Sequence, residues 1–189
     1  MKKIALMLVS SLISIAPVGA AFAGGYVGAS FGTTSPDEEG FKDDTGFRIS
    51  GGAQLNPNFA LEASYTNLGE FEADEDTRNA IGYLAGGYDV SNVSIDVSGI
   101  EFAAVGIAPL NDAFSLFGKI GLYMWDAEVN VDVAGYGSGS ESDDGSDPFF
   151  GVGFLLNVSQ QVSLKGEFNR YDAMDGDVDF LGVGLNLNF

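Results

Sequence analysis

Cysteine and histidine are both absent from the 189 residues. Export to an oxidising compartment permits disulfides, but none can form here, and no cysteine is available for lipoprotein acylation. Without histidine the chain lacks the usual base beside a nucleophile or an activated water, so hydrolases of that kind are not expected. Basic residues are scarce, with eight Lys and Arg against 27 Asp and Glu. Such a balance offers no basic face and excludes nucleic acid as a partner. It does not signify disorder, because 46% hydrophobic and 12% aromatic content is too rich for a chain unable to build a core. Past the N-terminus no stretch approaches the ~20 apolar residues of a membrane helix. If the chain lives in a membrane it crosses with strands, since only helices and closed barrels satisfy every backbone hydrogen bond in lipid.

What is present begins with a leader. Lys2 and Lys3 precede an apolar stretch over residues 4–15, and Pro17 and Gly19 lead to Ala21-Phe22-Ala23. This is the pattern of a secretory signal with a small-x-small cleavage site, and the expected cut follows Ala23. The apolar run is too short to remain as a spanning anchor. Setting aside Lys2 and Lys3, six basic residues face 27 acidic ones, a net charge of −21 for residues 24–189.

The rest alternates apolar with polar or small residues in segments of roughly ten, the length a tilted membrane strand needs. Eight segments are read, at residues 26–32, 47–55, 59–67, 99–110, 113–127, 149–158, 162–171 and 180–189. In each, one face is apolar: Val27, Ala29 and Phe31 in the first, Leu181, Val183, Leu185, Leu187 and Phe189 in the last. The fourth is apolar on both faces and is phased by Glu101, because a carboxylate should not face lipid. Three connections are tight, at residues 56–58, 110–112 and 159–161. Four are long and polar, at residues 33–45, 68–98, 128–148 and 172–179. That asymmetry marks an outer-membrane barrel with short periplasmic turns and longer outer loops. The expected fold is all-β, an eight-stranded antiparallel up-and-down transmembrane barrel. The competing fold is a soluble sandwich or lipocalin-like barrel. It is disfavoured because the apolar faces carry almost no charge, Asp126 and Arg170 near strand ends excepted. Residues 80–90 are assigned to the second loop. Counting that region alone as a strand would give nine strands and leave the C-terminus outside the cell; a ten-stranded barrel is the alternative.

Several stretches resemble a known family. Gly25-Tyr26-Val27-Gly28-Ala29-Ser30-Phe31-Gly32 is similar to the first strand of OmpA-like and related outer-membrane β-barrel domains. Ala60-Leu61-Glu62-Ala63-Ser64-Tyr65-Thr66-Asn67-Leu68-Gly69 resembles their third strand. Pro109-Leu110-Asn111-Asp112 with Leu116-Phe117-Gly118-Lys119-Ile120-Gly121-Leu122-Tyr123 resembles their fourth-to-fifth hairpin. The last strand, carrying Leu185, Leu187 and Phe189, resembles the C-terminal signal read by the barrel-assembly machinery. The resemblance implies an eight-stranded barrel in the outer membrane of a Gram-negative cell, with lumenal salt bridges. Because the sequence ends at Phe189, cell-wall anchoring through a periplasmic peptidoglycan-binding domain is not carried over.

The candidate site is the lumen. Arg48, Glu62, Glu101, Lys119, Lys165 and Glu167 point inward, three of each sign. A barrel of eight strands is barely wide enough to be filled by its own side chains, and isolated buried charges are costly, so these should pair into a plug. A gated ion path through the same residues is the alternative. Glycines on the inner face are expected to make room for Phe117, Tyr123 and Trp125. Most other acids fall in the four long connections, where they resist aggregation in water or bind divalent cations that bridge to lipopolysaccharide. Asp172, Asp175, Asp177 and Asp179 have a calcium-loop composition without the spacing or closing glutamate of an EF-hand. The Gly-x-Gly runs at Gly151 and Gly182 open no helix, which removes a nucleotide reading. Paired carboxylates can run glycoside chemistry, but a narrow barrel offers no groove. The expected protein is a monomeric, cofactor-free, non-enzymatic outer-membrane barrel with a structural or surface role. A narrow porin-like channel is the second reading.

Overall fold

The computed structural model describes residues 24–173 and 176–189; the expected leader and Asp175 lie outside them. Eight strands run β1 Gly24–Pro36, β2 Asp44–Asn56, β3 Phe59–Glu72, β4 Val90–Pro109, β5 Phe114–Val133, β6 Gly137–Asn157, β7 Val162–Ala173 and β8 Gly176–Asn188, with one helix, α1 Glu75–Leu84, between β3 and β4. Each strand pairs with its neighbours in sequence, all antiparallel, and β8 returns to β1 to close the barrel. Closure leaves no edge of unpaired backbone, which lipid requires. No helix among the described residues is long and apolar enough to cross a membrane, a fact that does not bear on strands.

The alternation in the sequence is an inside–outside alternation in space. Val27, Phe31, Ile49, Leu61, Phe102, Ile120, Val152, Leu185 and their neighbours are exposed on the outer wall, while the intervening positions are buried. In water so continuous an apolar surface would be a liability; in a bilayer it is the solvated face. Along β5 the belt runs from Phe114 to Met124, about 25 Å of height for a strand tilted by roughly 40°.

The strands are longer than the apolar segments, and this corrects the expected loops. Residues 128–133 and 137–148, assigned to a long third connection, form a paired hairpin whose turn is residues 134–136. Residues 90–98 of the second connection are strand, paired with β5 and, from Ser94 onward, also with β3. Most of the fourth connection is strand as well, with Asp172 opposite Asp177. The physical reason is that backbone pairing requires no apolar outer face. Hydropathy detects where lipid begins and ends, whereas the ladder continues into water. Residues 80–90, assigned to the second loop, contain the end of α1 and the first residue of β4. The helix is capped by Asp74, whose carboxylate accepts from the Thr77 amide at 2.8 Å, as an N-cap aspartate does.

Above the belt the outer face turns acidic at once. Glu70, Asp96 and Glu128 stand directly opposite one another on β3, β4 and β5, and like charges so placed repel. Burial, reinforced by Glu70 and Glu128, holds the Asp96 carboxyl above the ordinary aspartate range. A carboxyl raised in the folded state favours the fold when protonated, and that contribution is lost as pH rises through the raised value. Asp96→Asn is therefore expected to stabilise the upper hairpin at neutral pH by about 0.5 kcal/mol. Slower amide exchange over residues 94–98 would register the gain, and unchanged exchange would count against the repulsion. At the level of the whole fold, purified protein should migrate faster on a gel before boiling than after. Identical mobility would oppose a closed barrel.

Candidate functional site

Inward-facing residues fill the lumen in layers. At the short-turn end Tyr26, Ala60, Val105 and Phe117 cluster. Charged residues occupy the middle. Beyond them, toward the long hairpins, lies a larger group that includes Leu68, Phe71, Tyr123, Trp125, Phe149, Tyr171 and Phe180. Tyr123, Tyr171 and Phe180 are 0% exposed. The Tyr171 ring lies 4.8 Å from that of Tyr123 and stacks on Phe149 at 5.3 Å, spacings typical of favourable aromatic pairs.

The middle layer brings together Arg48, Glu62, Glu101, Lys119, Lys165 and Glu167, which come from five of the eight strands, Lys165 and Glu167 both from β7. Arg48 on β2 is the hub. Its Nε donates to Glu101 at 3.0 Å and its Nη2 donates to Glu101 at 2.7 Å and to Glu62 at 2.6 Å. The planar fork of a guanidinium suits two carboxylates at once. Lys119 and Lys165 each approach Glu167 at 2.8 Å, one on each oxygen. Arg48 Nη1 also stands 3.5 Å from Glu167, and Lys119 3.7 Å from Glu62, so the two halves form one network. Three positive and three negative groups sum to zero, the condition under which burial of ions is tolerated.

Hydroxyls complete the shell. Tyr26 donates to Glu62 at 2.7 Å, Ser30 to Glu167 at 2.6 Å and Tyr171 to Glu101 at 2.8 Å, while Thr66 also donates to Glu101. Sequence reasoning named none of these hydroxyls as partners of the ions. Their signal was parity: Tyr171 is four residues beyond Glu167 on the same strand and must share its face. Phe149 and Phe180 follow by the same rule from their outward neighbours Phe150 and Leu181.

Glycines accommodate the large inward rings. A side chain at Gly99 would strike Tyr123, at Gly145 Trp125, at Gly153 Phe117, and at Gly52 the Tyr26 ring. Below the ionic layer a small cavity opens toward the short-turn end, lined by Tyr26, Gln54, Glu62, Lys119, Lys165 and Asn188 among others.

Among the described residues of the last hairpin, Asp177 and Asp179 are turned to Arg170 and not to a common centre with Asp172. Arg170 takes Asp179 in a two-pronged contact, both bonds 2.6 Å, and its Nη1 lies 3.7 Å from Asp177. Asp172 sits on β7, opposite Asp177. Among the described residues no group of three or more acidic side chains is arranged to hold a metal ion. Leu185 and Leu187 face outward on β8 beside Ala29 and Val27 of β1. Phe189, largely exposed, exchanges two backbone hydrogen bonds with Gly25, so the end of the chain is part of the closing seam.

A family model described as outer membrane protein beta-barrel domain matches residues 4–189. Outer membrane protein A of Salmonella typhi is 25% identical over 194 residues, an alignment taking in 97% of this chain and 51% of that protein. The corresponding protein of Shigella flexneri is likewise 25% identical, with 97% and 52% covered. The chain spans about half the length of the curated relatives it matches. Among solved structures, Neisserial surface protein A superposes with a TM-score of 0.65 at 16% identity, covering 87% of this chain and 97% of that one. Ail, the attachment invasion locus protein of Yersinia pestis, gives a TM-score of 0.58 at 16% identity, covering 88% and 98%. At such identities these likenesses bear on the fold.

Proposed function

The chain belongs to the outer membrane protein β-barrel domain family and is an integral protein of the outer membrane, and from that premise we propose that it serves as a closed, non-enzymatic barrel carrying an acidic surface platform. The observation that carries this reading is the lumen, where a charge-neutral ionic layer and an apolar aromatic layer are stacked in series. A lumen filled in this way is a stabilising core rather than a passage, as expected at this strand number. The platform is the long-hairpin end. Apart from Asp175, every acid except Glu62, Glu101, Glu167 and Asp112 lies there, and the cations on that side are Lys42, Arg78 and Arg170. All three are engaged: Lys42 with Glu72, Arg78 with the Ala73 carbonyl, Arg170 with Asp179. Divalent cations would neutralise this crown and bridge it to anionic lipopolysaccharide. The protein acts as a monomer in this reading, and Leu185, Leu187 and Phe189 are what the assembly machinery reads.

The cavity beside Lys119 and Lys165 favours a second reading, a narrow channel for ions or small solutes. Planar-bilayer recording of the wild-type protein separates the two. Silence supports the closed barrel, and discrete conductance steps overturn it. An epitope inserted at Gly135, in the turn between β5 and β6, tests the orientation. Antibody labelling of intact cells is expected, and its failure would remove the surface platform.

A further inference from the structure

We infer that the far tip of the long-hairpin end is a docking surface for a basic, apolar-bearing polypeptide. The inference rests on the outward orientation proposed above. Three large side chains there are almost fully exposed: Tyr83 at 82%, Leu84 at 84% and Tyr136 at 78%. Tyr83 and Leu84 end α1, and Tyr136 occupies the turn between β5 and β6. Tyr88 joins the two elements, its ring edge-on to Tyr136 at 5.1 Å. The arrangement is built rather than incidental. Gly82 is the buried residue of α1, and its Cα lies so close to the Tyr88 carbonyl that a side chain would collide with it. Gly86 and Gly87, both with positive φ, turn the chain from the helix back to Tyr88, a conformation that glycine adopts at little cost.

Exposed aromatic and aliphatic groups so grouped, on a surface otherwise polar, mark interaction sites, and tyrosine is favoured at them because its ring is apolar and its hydroxyl wet. The bilayer is not the occupant. From Met124, the last belt residue, β5 continues nine residues to Val133, about 30 Å of strand, past Asp126, Glu128 and Asp132. A second copy is disfavoured by sign, since its tip carries the same charge. The charge around the patch comes from Glu75, Asp76, Asp89, Asp132 and Glu141, against Arg78 and Lys42, both near the start of α1 and away from the tyrosines. Complementarity therefore selects a cationic partner, steered by the acidic field and retained by the apolar cluster.

The test uses the folded protein in zwitterionic nanodiscs, with empty nanodiscs as the blank and gel mobility to certify the fold. The probes are a lysine–leucine–tryptophan amphipathic peptide and an oligolysine of equal charge. The amphipathic peptide should bind wild-type protein, weaken with salt, and bind the Tyr83→Ser/Leu84→Ser/Tyr136→Ser variant roughly tenfold less tightly, as loss of a small hot spot implies. Oligolysine should bind more weakly and equally to both. Equal binding of the amphipathic peptide to both proteins, or oligolysine binding as tightly, would reduce the tip to plain charge and overturn the inference. So would salt-insensitive capture of a neutral oligosaccharide that the variant loses, which would mark a sugar surface instead. In each of these failures the protein can still be folded, silent in bilayers and labelled on cells, so the barrel reading stands or falls separately.

Discussion

Replacing Arg48 with alanine is expected to destabilise the barrel by about 3–5 kcal/mol, the range for breaking a buried ion pair from one side. The loss falls chiefly on Glu101, which takes three of the guanidinium's contacts, at 3.2, 3.0 and 2.7 Å. Without Arg48, Glu101 retains the hydroxyls of Thr66 and Tyr171 but no cation. The network as a whole drops from neutral to one net negative charge in a site almost sealed from bulk water. Urea unfolding in lipid vesicles, followed by gel mobility, would read the change as a lower midpoint. Arg48→Lys should fall nearly as far, because one ammonium cannot fork between Glu101 and Glu62. The decisive comparison is the double variant Arg48→Ala/Glu101→Gln. It restores neutrality and should recover part of the loss, so the two substitutions are not additive. Lys165→Met, which removes a contact to Glu167 that Lys119 also makes, should cost less than Arg48→Ala. If Arg48→Ala unfolds at the wild-type midpoint, the ionic layer does not hold the barrel together.

The sequence made the belt and the ionic residues legible through one signal, the period of two. The partition is fixed where one face is greasy and the other is not: Phe150 out and Gly151 in, Leu164 out and Lys165 in. Glu101 phases an otherwise ambiguous strand because a carboxylate in lipid is far costlier than one among donors. The same signal fails above the bilayer. There both faces of β5 and β6 meet water or polar neighbours, so residues such as Ser138, Ser140 and Ser142 show no alternation, though they are ladder-bonded to β5. The helix was hidden for a related reason. Glu75–Leu84 buries only Gly82, so it lacks the apolar stripe by which amphipathic helices are recognised. Which cation meets which carboxylate was also beyond reach, because partners such as Arg48 and Glu101 are 53 residues apart and meet only through barrel closure. The pairing of Arg170 with Asp179 was out of reach as well, because composition marks only an acid-rich stretch and it is the β7–β8 register that makes the two direct cross-strand neighbours.

Opening the barrel to ions is expected to need changes in two layers, not one. The ionic network and the Tyr123–Phe149–Tyr171–Phe180 group lie one above the other along the same axis, and barriers in series are governed by the higher. Neutralising Glu167 and Lys119 together, as Gln and Met, loosens the polar layer but leaves fully buried rings across the lumen, an apolar constriction of the kind that blocks ions by excluding water. Trimming Tyr123, Phe149 and Tyr171 to alanine removes three of the four rings but leaves buried charges paired across the path. Each set alone should remain near the wild-type baseline in planar bilayers. The five substitutions combined should raise conductance at least ~tenfold over either set, since only then does a continuous polar route join the cavity beside Lys165 to the long-hairpin end. The order of effects discriminates between mechanisms. If the ion pairs alone were the barrier, Glu167→Gln/Lys119→Met would conduct as well as the combined variant. If the rings alone were, the alanine set would. Either result would refute the layered account. Tyr171 ties the layers together, because its ring belongs to the aromatic group and its hydroxyl binds Glu101. Tyr171→Phe should therefore loosen the ionic layer while leaving the aromatic barrier, and the baseline conductance, where they were.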